Sequence, residues 1–258
     1  MSDEEPMDPP VVVTVVAQQI LVITIRRERK RNALNQAVTF GVDAALNQLE
    51  DDADLRCAVL TGGERMFSAG ADLVEGPGEA TPRGGLVGMI SRHRTKPLIA
   101  AVEGVALGGG FELVLACDLV VASHGASFGV PEPRIGMMPA FGGAFRLGRF
   151  LPVNVANEML LTGDSIDAAR AERLGLVNVL CENGRSLECA LSLATRICAN
   201  APLAVSEVLA MAHAEVFGDE DDQWRRSDMA HARLLASNDV REGMEAFFSR
   251  RTPNWSGT

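Results

Sequence analysis

The chain has 258 residues, enough for one large domain or two small ones, and a chain of this length folds without a disulfide or a metal staple. Its 24 Lys and Arg stand against 34 Asp and Glu, and the net charge of −10 argues against nucleic acid as a partner. Tyr is absent, and the five Cys form no Cys-x-x-Cys pair, which predicts reduced thiols in a cytoplasmic protein.

The amino terminus predicts neither a secretory signal nor a membrane anchor. Residues 1–9 are acidic and rich in Pro, the opposite of a basic stretch followed by an apolar one, so we expect a disordered tail there. The longest apolar runs, such as Val11–Ala17, are far shorter than the ~20 residues of a membrane span. We therefore expect a cytoplasmic protein with no membrane partner.

The first predicted elements are a β-hairpin and a helix. β-Branched runs at Val11–Val16 and Ile20–Arg26 are separated by only three residues, a pattern typical of a hairpin. Apolar residues recur with a helical period over residues 32–50, and Asn32 or Asn35 is the candidate N-cap of that helix.

Short apolar runs predict buried strands farther along, at Cys57–Thr61, Leu98–Val102 and Leu119–Ala122. A helix is predicted over Phe111–Cys117, and a flexible loop over residues 74–85, which hold four Gly and two Pro. This alternation of strand and helix favours an α/β fold with crossover connections.

The pattern changes towards the carboxyl terminus. Residues 142–173 and 186–250 are predicted to form successive helices, with a strand-like stretch only at Leu176–Leu180. We therefore predict an α/β core over residues 10–195 and a helical C-terminal region over residues 196–258.

Three consecutive glycines, Gly108, Gly109 and Gly110, stand between a predicted strand and a predicted helix. An oxyanion hole requires free backbone N–H groups, and a helix N-terminus provides them together with a partial positive charge. A tight turn in which Gly is chosen for steric reasons explains the same residues equally well. The glycines alone leave both interpretations open.

Two glutamates near these glycines are candidates for catalysis. Glu112 lies in the first turn of a helix with apolar neighbours, where a carboxylate is costly unless it is paired or functional. The alternative is a solvent-exposed acid that interacts with the helix dipole. Glu132 lies between Pro131 and Pro133, whose rings restrict the backbone and hold one side chain rigidly, although a surface turn is the simpler interpretation.

Several other motifs fail. Gly125–Gly129 matches Gly-x-Ser-x-Gly, but a nucleophile elbow must turn into a helix, and Pro131 and Pro133 are expected to block one. No dinucleotide-binding or P-loop motif occurs, and the four His show no metal-ligand spacing. The sequence therefore predicts no metal and no separate cofactor.

Seven motifs occur in order along the chain. They are Arg31-Asn-Ala-Leu34, Thr61-Gly-Gly63, Phe67-Ser-Ala-Gly-Ala-Asp-Leu73, Lys96-Pro-Leu-Ile-Ala-Ala-Val102, Ala106-Leu-Gly-Gly-Gly-Phe-Glu112, Phe128-Gly-Val-Pro-Glu132 and Leu161-Thr-Gly163. Together with Pro253-Asn-Trp255 near the end, they resemble the enoyl-CoA hydratase/isomerase (crotonase) family from about residue 12 onward.

The resemblance implies a crotonase-like spiral of ββα units, with a helical C-terminal region that builds a homotrimer or a hexamer. It implies an acyl-CoA thioester substrate, an oxyanion hole at the backbone N–H groups of Ala71 and Gly109, and catalytic carboxylates at Glu112 and Glu132. These glutamates lie 20 residues apart, as they do in the family. Contacts with substrate or CoA are implied at Arg31, Ala33, Ala69, Gly70, Asp72, Leu73, Gly108, Pro131 and Ala140.

The chain also departs from the family pattern. Arg27-Glu28 replaces the usual Arg-Pro and predicts a looser first loop, and Val74 stands where many hydratases carry Lys near the CoA nucleotide. The candidates for binding the CoA 3′-phosphate are then Arg27, Arg29, Lys30 and Arg31. Ala140 stands where dienoyl-CoA isomerases carry Asp, which disfavours that activity.

The resemblance predicts a hydro-lyase that adds water to a 2-enoyl-CoA to give a 3-hydroxyacyl-CoA in acyl-CoA metabolism. The first alternative is a carnitinyl-CoA-type dehydratase, because Gly109–Leu113 and Asn157–Met159 look much like that branch. An enoyl-CoA isomerase is a further alternative, although isomerases of the simple type usually lack one of the two acids. The remaining alternative is a non-catalytic acyl-CoA-binding protein.

Overall fold

A computed structural model of the chain describes residues 9–217 and 220–254. The tail predicted at residues 1–9 lies outside the described residues except for Pro9, and Trp255 also lies outside them. β1 (Val11–Val16) and β2 (Ile20–Ile25) pair antiparallel and confirm the predicted hairpin.

The other elements follow in an order that alternates strand and helix and then becomes helical. From the hairpin to the last strand they are α1 (Gln36–Asp51), β3 (Cys57–Thr61), β4 (Leu98–Val102), β5 (Val105–Leu107), α2 (Gly109–Leu115), β6 (Leu119–Ser123), β7 (Ser127–Gly129), α3 (Gly143–Phe150), α4 (Val153–Thr162), β8 (Ser165–Asp167), α5 (Ala168–Arg173) and β9 (Val179–Cys181). The C-terminal helices are α6 (Ser186–Cys198), α7 (Pro202–Phe217), α8 (Glu220–Leu235) and α9 (Asn238–Ser249).

The main sheet has six strands in the order β1-β2-β3-β4-β6-β9, parallel except at the β1–β2 hairpin. β3 and β4 are buried at every residue, because helices cover both faces of a parallel sheet. One face packs against α6 through residues such as Val59 and Ile99, and the opposite face carries Leu60 and Ala100 into the main core. The five Cys are free thiols, as their spacing predicts.

A second, three-stranded sheet was not predicted from the sequence. It has the order β5-β7-β8, with β5 and β7 parallel and β8 antiparallel to β7. Each strand has three residues, too few for a period-2 pattern to be recognised. This small sheet determines the site, because the chain enters α2 directly after β5 and reaches Glu132 directly after β7.

The N-cap of α1 is Asn35, whose side chain accepts a hydrogen bond from the Val38 N–H. The helix therefore begins at Gln36, in agreement with the second of the two candidate caps. Asn32, the other candidate, is fully buried before the helix and adopts the left-handed conformation. Its amide donates to the backbone oxygens of Gly62 and Met66, so it ties the loop after β2 to the loop after β3.

The first loop closes as a turn, although Glu28 stands where the family usually has proline. Residues Glu28–Lys30 form one turn of 3₁₀ helix, closed by hydrogen bonds from the Lys30 N–H to the Arg27 oxygen and from the Arg31 N–H to the Glu28 oxygen. Glu28 occupies the first position of that turn, where its own N–H needs no helical acceptor, so proline is not required for the turn to close.

The C-terminal part is helical, but its strand is displaced from the predicted position. β9 begins at Val179 rather than Leu176, because the Leu176 N–H donates to the Ala171 oxygen in the connection after α5. Within the described residues, no single helix is long and apolar enough to span a membrane. Taken together, α6 and the part of α7 up to His213 reach that length and composition, but the two helices are bent by 108°.

Candidate active site

The glycine-rich junction between β5 and α2 has a backbone that only glycine adopts easily. Gly108 has φ 53° and ψ −130°, and its N–H donates to the Gly129 oxygen of β7. Gly70, with φ 98°, packs directly against this junction: a Cβ placed on it would lie 2.8 Å from the Leu107 oxygen and 3.2 Å from the Gly109 nitrogen. The segment that contains Gly70 and Ala71 therefore lies beside the start of α2.

Two backbone N–H groups remain available at this contact. Leu34 pairs with the neighbours of Ala71, since its N–H donates to the Gly70 oxygen and its oxygen accepts from the Asp72 N–H. Successive residues of an extended segment point in opposite directions, so the Ala71 N–H faces away from Leu34. Gly109 is the first residue of α2 and has no acceptor in its own helix. Within the described part of the chain, no backbone or side-chain oxygen accepts a hydrogen bond from either N–H.

Glu112 is held by the start of α3. Its Oε1 accepts hydrogen bonds of 2.7 Å from the N–H groups of both Phe141 and Gly143, and the residue is only 1% exposed. The positive end of the α3 dipole also favours a carboxylate at this point. Nevertheless, burial and the nearby Glu132 raise the pKa of Glu112 well above its ordinary range, since both disfavour a second negative charge. The alternative of a solvent-exposed acid is therefore wrong.

Glu132 projects from the single 3₁₀ turn that follows β7. Its carboxylate rests against Gly108, because a Cβ on Gly108 would lie 2.8 Å from the Glu132 Oε1. Its Oε2 is buried, and no hydrogen bond reaches that oxygen from the part of the chain that the structure describes. Burial raises the pKa of Glu132 to about 7. The turn lies at the surface, as the simpler interpretation has it, but it presents the Glu132 carboxyl inward.

These four groups can act together chemically. Two carboxyls with raised pKa values share protons near neutral pH, because mutual repulsion and burial disfavour two charges, and their titration belongs to the pair. One carboxyl then serves as an acid while the other serves as a base. The N–H groups of Ala71 and Gly109 are available to an oxygen that gains negative charge.

The remaining predicted contact residues lie on segments next to this junction. The Ala69 N–H donates to the Arg31 oxygen, so residues 31–34 and 69–72 run side by side. Leu73 continues that second segment, Pro131 precedes Glu132, and Ala140 precedes Phe141; all three are half-buried. The Asp72 carboxylate is used internally: it accepts from the N–H groups of Val74 and Glu75, and these bonds and Arg27 lower its pKa against the effect of burial.

Arg27 is not a free candidate for the CoA 3′-phosphate. Its guanidinium pairs with Asp72 at 3.1 Å and with Glu75 at 3.2 Å, and it donates to the Ala33 oxygen at 2.6 Å. These contacts hold the first loop against the segment after Ala71. Of the predicted cations, Arg29, Lys30 and Arg31 remain exposed at the surface.

Sequence reasoning missed three groups around Glu112. The Phe141 and Gly143 N–H groups are backbone donors, and only the paired Gly142-Gly143 at the start of a helix signals them. Arg146 is a buried cation on α3: its Nη2 donates to the Ile90 oxygen at 2.8 Å, and its charge lowers the pKa of Glu112. Its guanidinium also lies over the rings of Phe145 and Trp224, at 5.7 and 5.6 Å from their centroids.

The Gly-x-Ser-x-Gly motif is not a nucleophile elbow, but the reason differs from the predicted one. Ser127 begins β7 and lies within the small sheet, rather than at a strand-to-helix turn. Pro131 and Pro133 do not block helical structure here, because they occupy the cap and first turn of the 3₁₀ segment Glu132–Ile135, where a missing N–H costs nothing.

Comparison with known proteins agrees with this geometry. The family model described as enoyl-CoA hydratase/isomerase matches residues 16–258. The chain belongs to the enoyl-CoA hydratase/isomerase family. Its members named below are hydratases and dehydratases, and this chain is a hydro-lyase of that family that acts on CoA thioesters.

Relatives named for different activities have similar sequence identity to this family member but differ in structural likeness. The carnitinyl-CoA dehydratase of Salmonella typhi is 39% identical over 92% of this chain and 95% of its own length. A carnitinyl-CoA hydratase from Mycobacterium avium is 40% identical, with a TM-score of 0.93 over 97% of this chain and 100% of that chain. An enoyl-CoA hydratase from Mycobacterium tuberculosis H37Rv is 44% identical, with a TM-score of 0.78 over the same shares. These likenesses confirm the predicted crotonase-like α/β fold.

The raised pKa of Glu132 makes stability depend on pH. The folded state keeps a proton that the unfolded chain releases between the ordinary value of 4.5 and about 7, so this contribution to stability is complete below pH 4.5 and is lost as the pH rises to about 7. We expect the free energy of unfolding of the native protein to fall between pH 4.5 and about 7. This fall should exceed the fall measured for the Glu132→Gln variant by on the order of 3 kcal/mol. Denaturant titrations at the two pH values measure the difference, and the exposed Glu64→Gln is the control. Equal pH dependence in the native protein and Glu132→Gln would show that folding does not raise the pKa of Glu132.

Proposed function

We propose that this family member hydrates uncharged 2-enoyl-CoA thioesters to 3-hydroxyacyl-CoA thioesters. The observation that carries the proposal is the pair of buried carboxyls, Glu112 and Glu132, on either side of a glycine junction with two available N–H groups. Addition of water across a double bond needs a base, an acid and a stabilised enolate in one site, and this arrangement offers all three.

The N–H groups of Ala71 and Gly109 hold the thioester oxygen. As water adds to Cβ, the electrons of the double bond move towards the carbonyl, and the oxygen becomes an enolate. The hydrogen bond from each preorganised N–H then becomes stronger, and one such donor stabilises the transition state by about 3 kcal/mol. Gly70 and Gly108 permit the close approach of the two segments, since a side chain on either would collide with backbone or with Glu132.

The two carboxyls divide the proton transfers. Burial raises the pKa of Glu112, but its Oε1 accepts two backbone N–H groups, which favour the ionised form and which Glu132 lacks on its Oε2. We therefore assign Glu112 the role of base: it takes a proton from water as the water oxygen bonds to Cβ. Glu132 carries the shared proton and delivers it to Cα of the enolate. Transfer of the proton from Glu112 back to Glu132, through water, restores the starting state.

A carnitinyl-CoA-type dehydratase is the second candidate, favoured by the names of relatives at 39% and 40% identity. Its acyl group carries a quaternary ammonium, which proteins bind with aromatic cages or with anions. The charged groups that shift the pKa of Glu112 are Glu132 and the cation Arg146. A positive charge at Arg146 opposes the binding of a second cation near Glu112. The presence of both acids favours hydration over isomerisation. The trimer or hexamer implied by the resemblance and the cytoplasmic location predicted from composition stay predictions.

Initial rates on a panel of thioesters test the proposal. The loss of enoyl thioester absorbance is followed with short, medium and long unbranched 2-enoyl-CoA substrates and with crotonobetainyl-CoA. We expect kcat/KM for the best uncharged substrate to exceed that for crotonobetainyl-CoA at least ~10-fold, because burial of an ammonium costs free energy unless an anion pairs with it. A preference for crotonobetainyl-CoA would favour the dehydratase instead. No turnover of any thioester would favour the non-catalytic acyl-CoA-binding protein.

A further inference from the structure

We infer that the Phe141 ring is the wall that limits the width of the acyl site at the reacting carbons, so that the enzyme selects thioesters without a branch at Cβ. The inference rests on the proposed function and names its substrate class more narrowly. It depends on three observations: where the Phe141 backbone is fixed, what its ring touches, and how tightly the ring is packed.

The Phe141 backbone is fixed beside the proposed base. Its N–H donates to the Glu112 Oε1 at 2.7 Å, and Gly142, with φ 96°, turns the chain into α3 directly afterwards. The N–H groups of Phe145 and Arg146 both donate to the Gly142 oxygen, which anchors the turn to the helix. Phe141 therefore cannot leave Glu112 without breaking the start of α3.

The Phe141 ring lies against the proposed oxyanion donor. A Cβ placed on Gly109 would lie 2.7 Å from the ring Cε2 and 2.9 Å from Cδ2, so the ring edge touches the Gly109 Cα. The Leu34 Cδ1 closes the same side at 3.3 Å from that Cβ position. The ring thus extends from the residue that holds Glu112 to the residue that offers the N–H.

The ring has little freedom to move. Phe141 is only 8% exposed and belongs to the main hydrophobic core, whose close packing resists displacement of a bulky side chain. An enoyl group with its oxygen at the Gly109 N–H and its Cβ at Glu112 must lie along this ring. A hydrogen on Cβ fits beside the ring, whereas a methyl branch collides with it or displaces the substrate from Glu112.

The test compares two substrates that differ by one methyl group, crotonyl-CoA and 3-methylcrotonyl-CoA, in the native protein and in Phe141→Leu and Phe141→Ala. Both substitutions keep the backbone N–H that holds Glu112. We expect the ratio of kcat/KM, crotonyl over 3-methylcrotonyl, to fall at least ~10-fold in Phe141→Ala and by less in Phe141→Leu, since one methyl group is worth 10–200-fold in a closely packed pocket. Phe40→Ala on α1, where the native side chain is 58% exposed, is the control and leaves the ratio unchanged.

The outcomes separate this inference from the proposed function. If the native protein hydrates crotonyl-CoA but the ratio is the same in all variants, Phe141 is only a core residue and the inference is wrong. If a Phe141 variant loses kcat/KM equally on both substrates, the inference is also wrong, because a structural defect does not discriminate between the two substrates. Selective loss of crotonobetainyl-CoA turnover in Phe141→Ala would also overturn it, by making the ring a cation-binding face. A native protein inert towards every enoyl thioester contradicts the proposed function itself. Where Phe141→Ala does not fold, Phe141→Leu alone decides.

Discussion

Glu132→Gln and Glu112→Gln are each expected to lower kcat at least ~10²-fold with little change in KM, the scale of general acid–base catalysis. Gln has nearly the shape of Glu but neither holds nor releases a proton at neutral pH. In Glu132→Gln no group protonates Cα, and in Glu112→Gln no group takes the proton of the attacking water. Steady-state kinetics on the best enoyl thioester of the panel give both values.

A third buried glutamate provides the matched control. Glu103 is 5% exposed, and its Oε1 accepts from the Ser186 N–H at the start of α6, so it supports a helix rather than the site. Glu103→Gln should keep the native kcat, although it also exchanges a buried carboxylate for an amide. The double variant at Glu112 and Glu132 should lose little more than either single one, because coupled groups act as a unit. Near-native turnover in either single variant would remove that carboxyl from the mechanism.

Gly109→Pro is expected to lower kcat by about 10²–10³-fold, the effect of removing one oxyanion donor. Gly109 is the first residue of α2, a position where proline is favoured because the helix does not use that N–H. The substitution therefore removes the proposed donor and keeps the helix. It also adds a Cβ, which would meet the Phe141 ring at 2.7 Å.

That collision is controlled by comparing proline with alanine. Gly109→Ala adds the same Cβ but keeps the N–H, and both substitutions are made in a Phe141→Ala background, where the ring is absent. The ratio of kcat between the alanine and proline variants then reports the loss of the N–H together with the ring carbon that replaces its hydrogen. If the folded Gly109→Pro and Gly109→Ala proteins had equal kcat, the glycines would serve only to form a tight turn.

Strands buried on both faces were predicted well, and elements that depend on a few long-range contacts were not. Cys57–Thr61 and Leu98–Val102 have the predicted bounds, because a continuous apolar run between turn residues identifies a central parallel strand. Val105–Leu107 and Ser165–Asp167 became strands only by pairing with Ser127–Gly129, a tertiary contact that three residues cannot signal.

The acids of the site were predicted, whereas the groups that hold them were not. Glu112 and Glu132 were found from the family motifs and their separation, and the small sheet supplies the physical reason that they meet. Backbone donors such as the Phe141 N–H leave no trace in side-chain identity. Arg27 was one of four candidates for the CoA phosphate because it lies among other cations, yet Asp72, 45 residues away, pairs with it. Ion pairs of this kind depend on the folded chain.

Hydration of an enoyl-CoA in deuterium oxide, and separately in water enriched in heavy oxygen, tests the central claim most directly. Mass spectrometry of the acyl product locates the atoms gained. The account predicts one heavy oxygen on Cβ and one deuterium on Cα in the native protein, with incorporation slowed in Glu112→Gln and in Glu132→Gln. Deuterium without oxygen, together with a displaced double bond, would indicate isomerisation. That result would contradict the assignment of the two carboxyls to the addition of water.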